Sequence, residues 1–171
     1  MKTVYLVRHA KSSWDNAFTS DFDRPLNQRG RNNAPAMGLF LSRKMPMPHL
    51  IISSPANRAL STAQLIAQQW GYDINGIVEQ PALYWFDYNV APIVDIITQI
   101  PDHHQSVMLV GHNPTFTHLG NHLLGQHRFD DIPTCAVICL SYDTDNWHNI
   151  GSTKPELTFY VYPKLILNDE L

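Results

Sequence analysis

Residues 6–14 read LVRHAKSSW, and the reading of that stretch decides the fold. Together with Thr3-Val4-Tyr5 its first half is a short apolar run of the kind that becomes a buried strand. At Arg8 and His9 the run stops. Successive side chains of a strand point to opposite faces. An arginine and a histidine serving one ligand cannot both reach it from a regular strand. Either one of them turns away, or the chain leaves the sheet here and directs both inward.

The same punctuation recurs further along. HLIISS (49–54) is an apolar run that stops at Ser54-Pro55, a good N-cap and first-turn pair for a helix over ANRALSTAQLIAQQW (56–70). Ala56, Ala59, Leu60, Ala63, Ala67 and Trp70 fall on one side of that helix, and Gly71 closes it. SVMLVG (106–111) leads to His112, and Asn113-Pro114 then opens a helix over TFTHLGNHLLG (115–125). A polar, turn-rich loop, DNAFTSDFDRPLNQRG (15–30), precedes a helical stretch at RNNAPAMGLFLSRK (31–44), where Pro35 predicts a boundary or kink near the start. CAVICLSY (135–142) and LTFYVYP (157–163) read as consecutive strands. The alternation predicts an α/β protein with three layers, a mostly parallel sheet covered by helices on both faces.

The length of 171 residues suits one domain spanning 1–171. Apolar residues make up 44% and charged residues 16%, with a net charge of −3. That balance argues against chain-wide attraction to nucleic acid or anionic membrane while leaving room for a local basic pocket. No window approaches the roughly 18 apolar residues of a membrane span. VYLV is too short for a signal-peptide core, so a cytoplasmic location is expected. The terminal NDEL lacks the lysine of an ER-retrieval ending. Cys135 and Cys139 would lie about 13 Å apart on a strand rising about 3.3 Å per residue, too far to bond. Two reduced, buried thiols are expected.

Three strand-to-helix junctions carry strong charge or imidazole at the same topological place. Arg8 and His9 follow the first strand, Arg58 lies in the first helical turn after the second, and His112 directly precedes a later helix. In an open parallel sheet such junctions lie along the carboxyl edge, where ligands bind. Helix N-termini there add unpaired N–H groups. The pattern describes a small anion met by two guanidiniums and two imidazoles, and phosphate matches the fork of arginine. The competing reading is two surface cations and two turn histidines.

LVRHAKSSW resembles the signature of the histidine phosphatase superfamily, usually written R-H-G. SSPANRALSTA resembles its second arginine motif, VGHNP resembles its second histidine motif, and all three stand in the family's order. DFDRPLNQRGRNNAPAMG and the small size narrow the resemblance to the SixA-type phosphohistidine phosphatase branch. Ala10 replaces the larger family's glycine, as that branch tolerates. The resemblance implies a phosphoglycerate mutase-like fold. It also implies a metal-independent, cofactor-free phosphohydrolase acting on a phosphohistidine-bearing signalling protein. His9 would be the nucleophile, with Arg8, Arg58 and His112 binding substrate and stabilising the transition state, and Ser12 a further phosphate contact.

For a leaving-group acid the candidates are Asp87, ahead of Glu79, Asp21 and Asp23. The branch often lacks an evident acid, which suits an imidazole leaving group. Asp15 stands near a phosphate-contacting asparagine of larger relatives, but a carboxylate would repel a phosphate dianion. Arg24 matches a branch feature or holds its loop through Asp21 or Asp23. His118 and His122, four apart on a helix, face solvent rather than a metal, and Trp14, Tyr84, Trp85 and Phe86 are candidates for the pocket mouth. The rival functions are a phosphatase of small phosphate esters or nucleotides on the same residues, and a phosphate-binding regulatory module with little turnover.

Overall fold

In a computed structural model, which describes residues 1–167, a six-stranded sheet lies between two layers of helices. The NDEL ending lies outside the described residues. The strands are β1 (Lys2–Arg8), β2 (Leu50–Ser53), β3 (Val78–Glu79), β4 (Ser106–Gly111), β5 (Val137–Tyr142) and β6 (Glu156–Val161), ordered β3-β2-β4-β1-β5-β6. β1, β2, β3 and β4 run parallel, β5 pairs antiparallel with β1, and β6 antiparallel with β5. The fold is the mixed α/β, phosphoglycerate mutase-like architecture that the alternation and the motifs predict.

Alternation along the strands builds two cores. Val4 and Leu6 of β1, with Val107 and Leu109 of β4, pack against α3 (Ala91–Thr98) and α4 (Thr115–Leu124). Tyr5, Val7, Met108 and Val110 point the other way, onto α1 (Gln28–Lys44) and α2 (Asn57–Gln69). Each buried aliphatic side chain contributes about 1.5–3 kcal/mol, so the central strands β1 and β4 anchor both layers. α5 (Pro163–Leu167) lies against α1. No helix among the described residues is long and apolar enough to cross a membrane.

Three local expectations are corrected. α1 begins at Gln28, not at 31, and Pro35 lies inside it. The Asn27 side chain accepts the Gly30 amide, so the first turn closes early, and burial of Ala34, Met37 and Leu41 carries the helix past the missing N–H. α2 begins at Asn57, with Ala56 rather than Ser54 at its N-cap, and the Ser54 hydroxyl accepts the Ala56 amide just ahead of the helix. β5 begins at Val137, not at Cys135, whose φ of 61° is left-handed backbone. The segment 72–105, where no helix was read, contains α3 and the two-residue β3.

That left-handed residue answers the question raised by Arg8 and His9. The Cys135 amide lies 3.1 Å from both the Arg8 and the His9 carbonyl oxygens. The strand ends at Arg8, and the Ala10 N–H is taken by Thr62 Oγ1 of α2 at 2.9 Å. The chain thus leaves the sheet between two neighbours that hold its backbone. Cys135 and Cys139 are both free and buried.

The loop that follows is held against α1 at Gly30, where a Cβ would collide with the Lys11 carbonyl. Gly30→Ala is expected to destabilise the protein by about 1–3 kcal/mol, as overpacking of backbone against backbone does. Urea unfolding checks this, and an unchanged midpoint would contradict the close approach.

Candidate active site

Arg8, His9, Lys11, Ser12, Trp14, Asp21, Arg24, Arg58, Phe86, Asn113 and Thr134 line a cavity of about 300 Å³ at the carboxyl edge of the parallel strands. Four of these are cationic and one is a carboxylate. Among the residues predicted from sequence, Arg8, His9, Ser12 and Arg58 form its walls. His112 lies directly behind, its ring centroid 5.2 Å from that of His9.

His9 is 8% exposed. Its Nδ1 lies 2.7 Å from the Ala10 carbonyl oxygen, which can only accept, so Nδ1 carries the proton and Nε2 presents its lone pair. Arg58 Nε donates to that lone pair over a long 3.4 Å. Burial pushes the His9 pKa down to about 3, against the pull of the Ala10 hydrogen bond, and the charges of Arg58, Arg8 and Arg24 add to the lowering. The ring is therefore neutral at physiological pH.

His112 is fully buried, roofed by Tyr84 at 5.4 Å and Phe86 at 5.1 Å between ring centroids. Its Nε2 meets Ser54 Oγ at 2.7 Å. That oxygen already accepts the Ala56 amide at 3.2 Å. Donation of the serine proton to Nε2 leaves the fewest buried groups unpaired, and it puts the His112 proton on Nδ1. Nδ1 has no partner. A buried polar atom left unpaired beside a second imidazole marks a place where a ligand atom completes the set. Burial first, then the neighbouring His9 and Arg58, lower the His112 pKa to about 2. Nδ1 is shut off from solvent, and the half-exposed Phe86 ring is one of the two that cover His112.

The cations are held by one carboxylate. Asp21 Oδ2 accepts from Arg58 Nη2 at 3.1 Å and from the Tyr84 hydroxyl at 2.6 Å, while Oδ1 accepts from Arg24 Nη2 at 3.1 Å. Burial alone would raise its pKa, but the Tyr84 hydrogen bond, Arg58 and Arg24 outweigh that and bring it to about 2. Arg24 also donates to the Ser12 hydroxyl and lies 3.6 Å over the Trp14 ring. Arg8 donates to the Ile132 carbonyl at 2.7 Å, and its buried Nε has no partner among the described residues.

Asp87 is not brought to the cavity. Its Oδ1 accepts the backbone N–H groups of Tyr88 and Asn89, at 2.6 and 3.4 Å, so the carboxylate closes its own turn. Glu79 lies exposed on β3, and Asp23 accepts from Ser20 Oγ. Only Asp21 of the four candidate acids lines the cavity, and it is held ionised. Sequence reading missed Ser54, taken for a helix cap, and the Tyr84 hydroxyl. The paired serines before Pro55 were the available signal for the first. Arg24 pairs with Asp21, one of the two partners considered for it. Among the described residues no group of three or more His, Cys, Asp or Glu side chains could hold a metal ion. His118 is half-buried beside Tyr88, and His122 is exposed.

A sequence model described as "Histidine phosphatase superfamily (branch 1)" matches residues 4–83, the stretch that supplies His9, Arg24 and Arg58. Over that stretch the chain is similar to the histidine phosphatase superfamily. Its fold is similar to the crystal structure of the putative phosphohistidine phosphatase SixA from Agrobacterium tumefaciens, at 29% identity and a TM-score of 0.79, over 95% of this chain and 98% of that one. The protein histidine phosphatase SixA complexed with tungstate shares the fold at 20% identity and a TM-score of 0.79, over 95% of this chain and 97% of that one. An uncharacterized chloroplastic protein of Arabidopsis thaliana is 28% identical over 85% of this chain and 69% of its own length. An uncharacterized protein of Mycobacterium tuberculosis is 30% identical over 64% of each chain. The matches thus span about two thirds of these curated relatives.

Two outcomes follow from this geometry. In the ligand-free protein both imidazoles should remain neutral down to about pH 4, as read from ring nitrogen shifts by NMR, whereas free imidazoles charge near pH 6.5. Because the folded values are depressed, the unfolded chain binds more protons below about pH 6.5. Stability present above that pH is lost as pH falls toward 3. Second, Ser54→Ala frees the His112 ring and should weaken inorganic phosphate binding about tenfold, the worth of one well-placed hydrogen bond. Calorimetric titration measures it, and an unaltered affinity would rule out the positioning role.

Proposed function

We propose that this chain is a metal-independent phosphohydrolase that works through a phosphoryl group carried on His9, and that its substrate is phosphohistidine on a protein. The observation that carries the proposal is the His9 tautomer, a neutral ring with its proton committed to Ala10 and a bare nitrogen among fixed cations. In the first step Nε2 of His9 forms a bond to phosphorus as the bond to the leaving nitrogen breaks, and that nitrogen takes its proton from water. In the second, water attacks phosphorus, inorganic phosphate departs, and His9 returns to neutrality.

Arg8, Arg58 and, once Phe86 swings aside, the Nδ1–H of His112 stabilise the equatorial oxygens as charge gathers there. Ser12, engaged by Arg24, completes the cradle. The cationic lining repels a divalent ion, and its one carboxylate is already committed to Arg58, Arg24 and Tyr84. Phosphoryl transfer here rests on arginine instead. The substrate preference is supported by proton chemistry. The cavity's only carboxylate is held ionised near a pKa of 2 and cannot protonate an alkoxide. Imidazole departs without such help. With this substrate goes one catalytic domain over residues 1–171 and a cytoplasmic site of action, a location that the Arabidopsis relative's chloroplastic name does not share.

The test is phosphate release from a phosphohistidine protein, from aryl phosphates and from alkyl phosphates, with and without chelator. Phosphohistidine should be cleaved fastest, alkyl esters slowest, and chelator should change nothing. His9→Ala should lose at least about 10³-fold in kcat, and His112→Asn about 10². Retained turnover in His9→Ala removes the nucleophile. Rapid cleavage of alkyl esters moves the reading to small phosphate esters. Phosphate binding without turnover on any substrate moves it to a regulatory module.

A further inference from the structure

The aromatic side chains that stand exposed are not spread over the molecule. Trp14, Phe18, Phe22, Trp85, Phe86 and Tyr88 are between 39% and 99% exposed, and they include every exposed aromatic among the described residues. All six fall in two short stretches, 14–22 and 85–88, on the loops that flank the phosphate cavity. The stretches meet there, since the Phe22 ring packs edge-on against Tyr84 at 5.2 Å and Tyr84 against Phe86 at 5.2 Å. Only Trp14 and Phe86 line the cavity itself. A small phosphate ester seated on the arginines can touch those two and leaves the other four in water. An exposed apolar patch of this kind marks a macromolecular contact.

The same loops are acidic. Besides Asp21, already committed to the arginines, residues 13–23 carry Asp15 and Asp23, residues 84–90 carry Asp87, and neither stretch contains a lysine or arginine. Beside Arg8 of the cavity wall stands Asp131, 78% exposed at its side chain, and next to it in sequence Asp130, 97% exposed. Asp131 is 3.8 Å from Arg8. A cationic pit that accepts the phosphoryl group is thus surrounded by an aromatic and anionic rim. Such a rim repels polyanions, nucleotides and bisphosphates among them, and attracts positive charge through both carboxylates and ring faces.

Resting on the function proposed above, we propose that the rim is the docking surface for a protein segment in which the phosphohistidine is flanked by lysine or arginine and by apolar side chains. The phosphoryl group enters the pit, the apolar flanks pack on the exposed rings, and the cationic flanks meet the carboxylates. The rim then sets partner choice while the arginine pit sets the chemistry.

Three phosphohistidine peptides of equal length test this, with lysine/leucine, serine/glycine or glutamate/glycine flanks, alongside free phosphoimidazole. Binding to His9→Ala is followed by the fluorescence of Trp14 and Trp85, and kcat/KM is measured on the active protein. The lysine/leucine peptide should bind at least about tenfold tighter than the glutamate peptide, and added salt should shrink the difference. Phe18→Ala combined with Tyr88→Ala should lower kcat/KM for the lysine/leucine peptide about tenfold relative to phosphoimidazole. Asp15→Lys combined with Asp23→Lys should erase the preference for cationic flanks. Equal binding of the three peptides, or an unmoved ratio in the double alanine variant, overturns the docking surface. Failure to hydrolyse phosphoimidazole or any peptide instead overturns the phosphohydrolase reading, while the binding series still decides the rim.

Discussion

One carboxylate shared between two buried guanidiniums is the constraint on which the rest of the site depends. Arg58 and Arg24 are 1% and 7% exposed, and an unpaired charge at such depth costs several kcal/mol. Asp21 meets both, with the Tyr84 hydroxyl bracing its second oxygen. The pairing ties the loop after β1 to the first turn of α2 and to the segment before α3. It offsets only one of the positive charges, so the pocket keeps a surplus for a dianion. It also holds the carboxylate ionised, and the group that builds the cradle is thereby unable to serve as its acid.

The two histidines illustrate how an oxygen sets the chemistry of a ring nitrogen. At His9 the Ala10 carbonyl demands a proton and so exposes a lone pair. At His112 the Ser54 hydroxyl offers a proton and so leaves an N–H unpaired. The result is a nucleophile-like face and a donor face on rings 5.2 Å apart. Burial keeps both neutral, which is what allows them to stand together among arginines. Both oxygens belong to rigid parts of the fold, one beyond the end of β1 and the other beyond β2. The aromatic loops contribute Asp21 to the clamp and Trp14 and Phe86 to the cavity wall.

The architecture was largely legible from the apolar runs. TVYLV, LIIS and SVMLVG could only be strands buried on both faces, and the helical stretches between them required a covered parallel sheet. Errors fell where side chains were used for something other than the local element. Ser54 looked like a cap because a serine before a proline usually is one, yet its hydroxyl serves an imidazole 58 residues away. Asp87 was one of four candidate acids, and its carboxylate closes a turn. Cys135 looked like an ordinary strand residue, and its left-handed backbone turns out to seat the carbonyls of Arg8 and His9.

By itself the sequence determined the layer order, the junctions that carry Arg8, His9, Arg58 and His112, and the resemblance to one family. Those follow from periodicity and motif, which are local properties of the chain. Only the tertiary structure decided which carboxylate is clamped, which nitrogen of each imidazole is bare, and that the exposed rings gather around one opening. The clamp on Arg58, the choice of nitrogen at His112 and the gathering of the rings depend on partners tens of residues distant, and neither hydrogen-bond direction nor burial can be read before the chain has closed on itself.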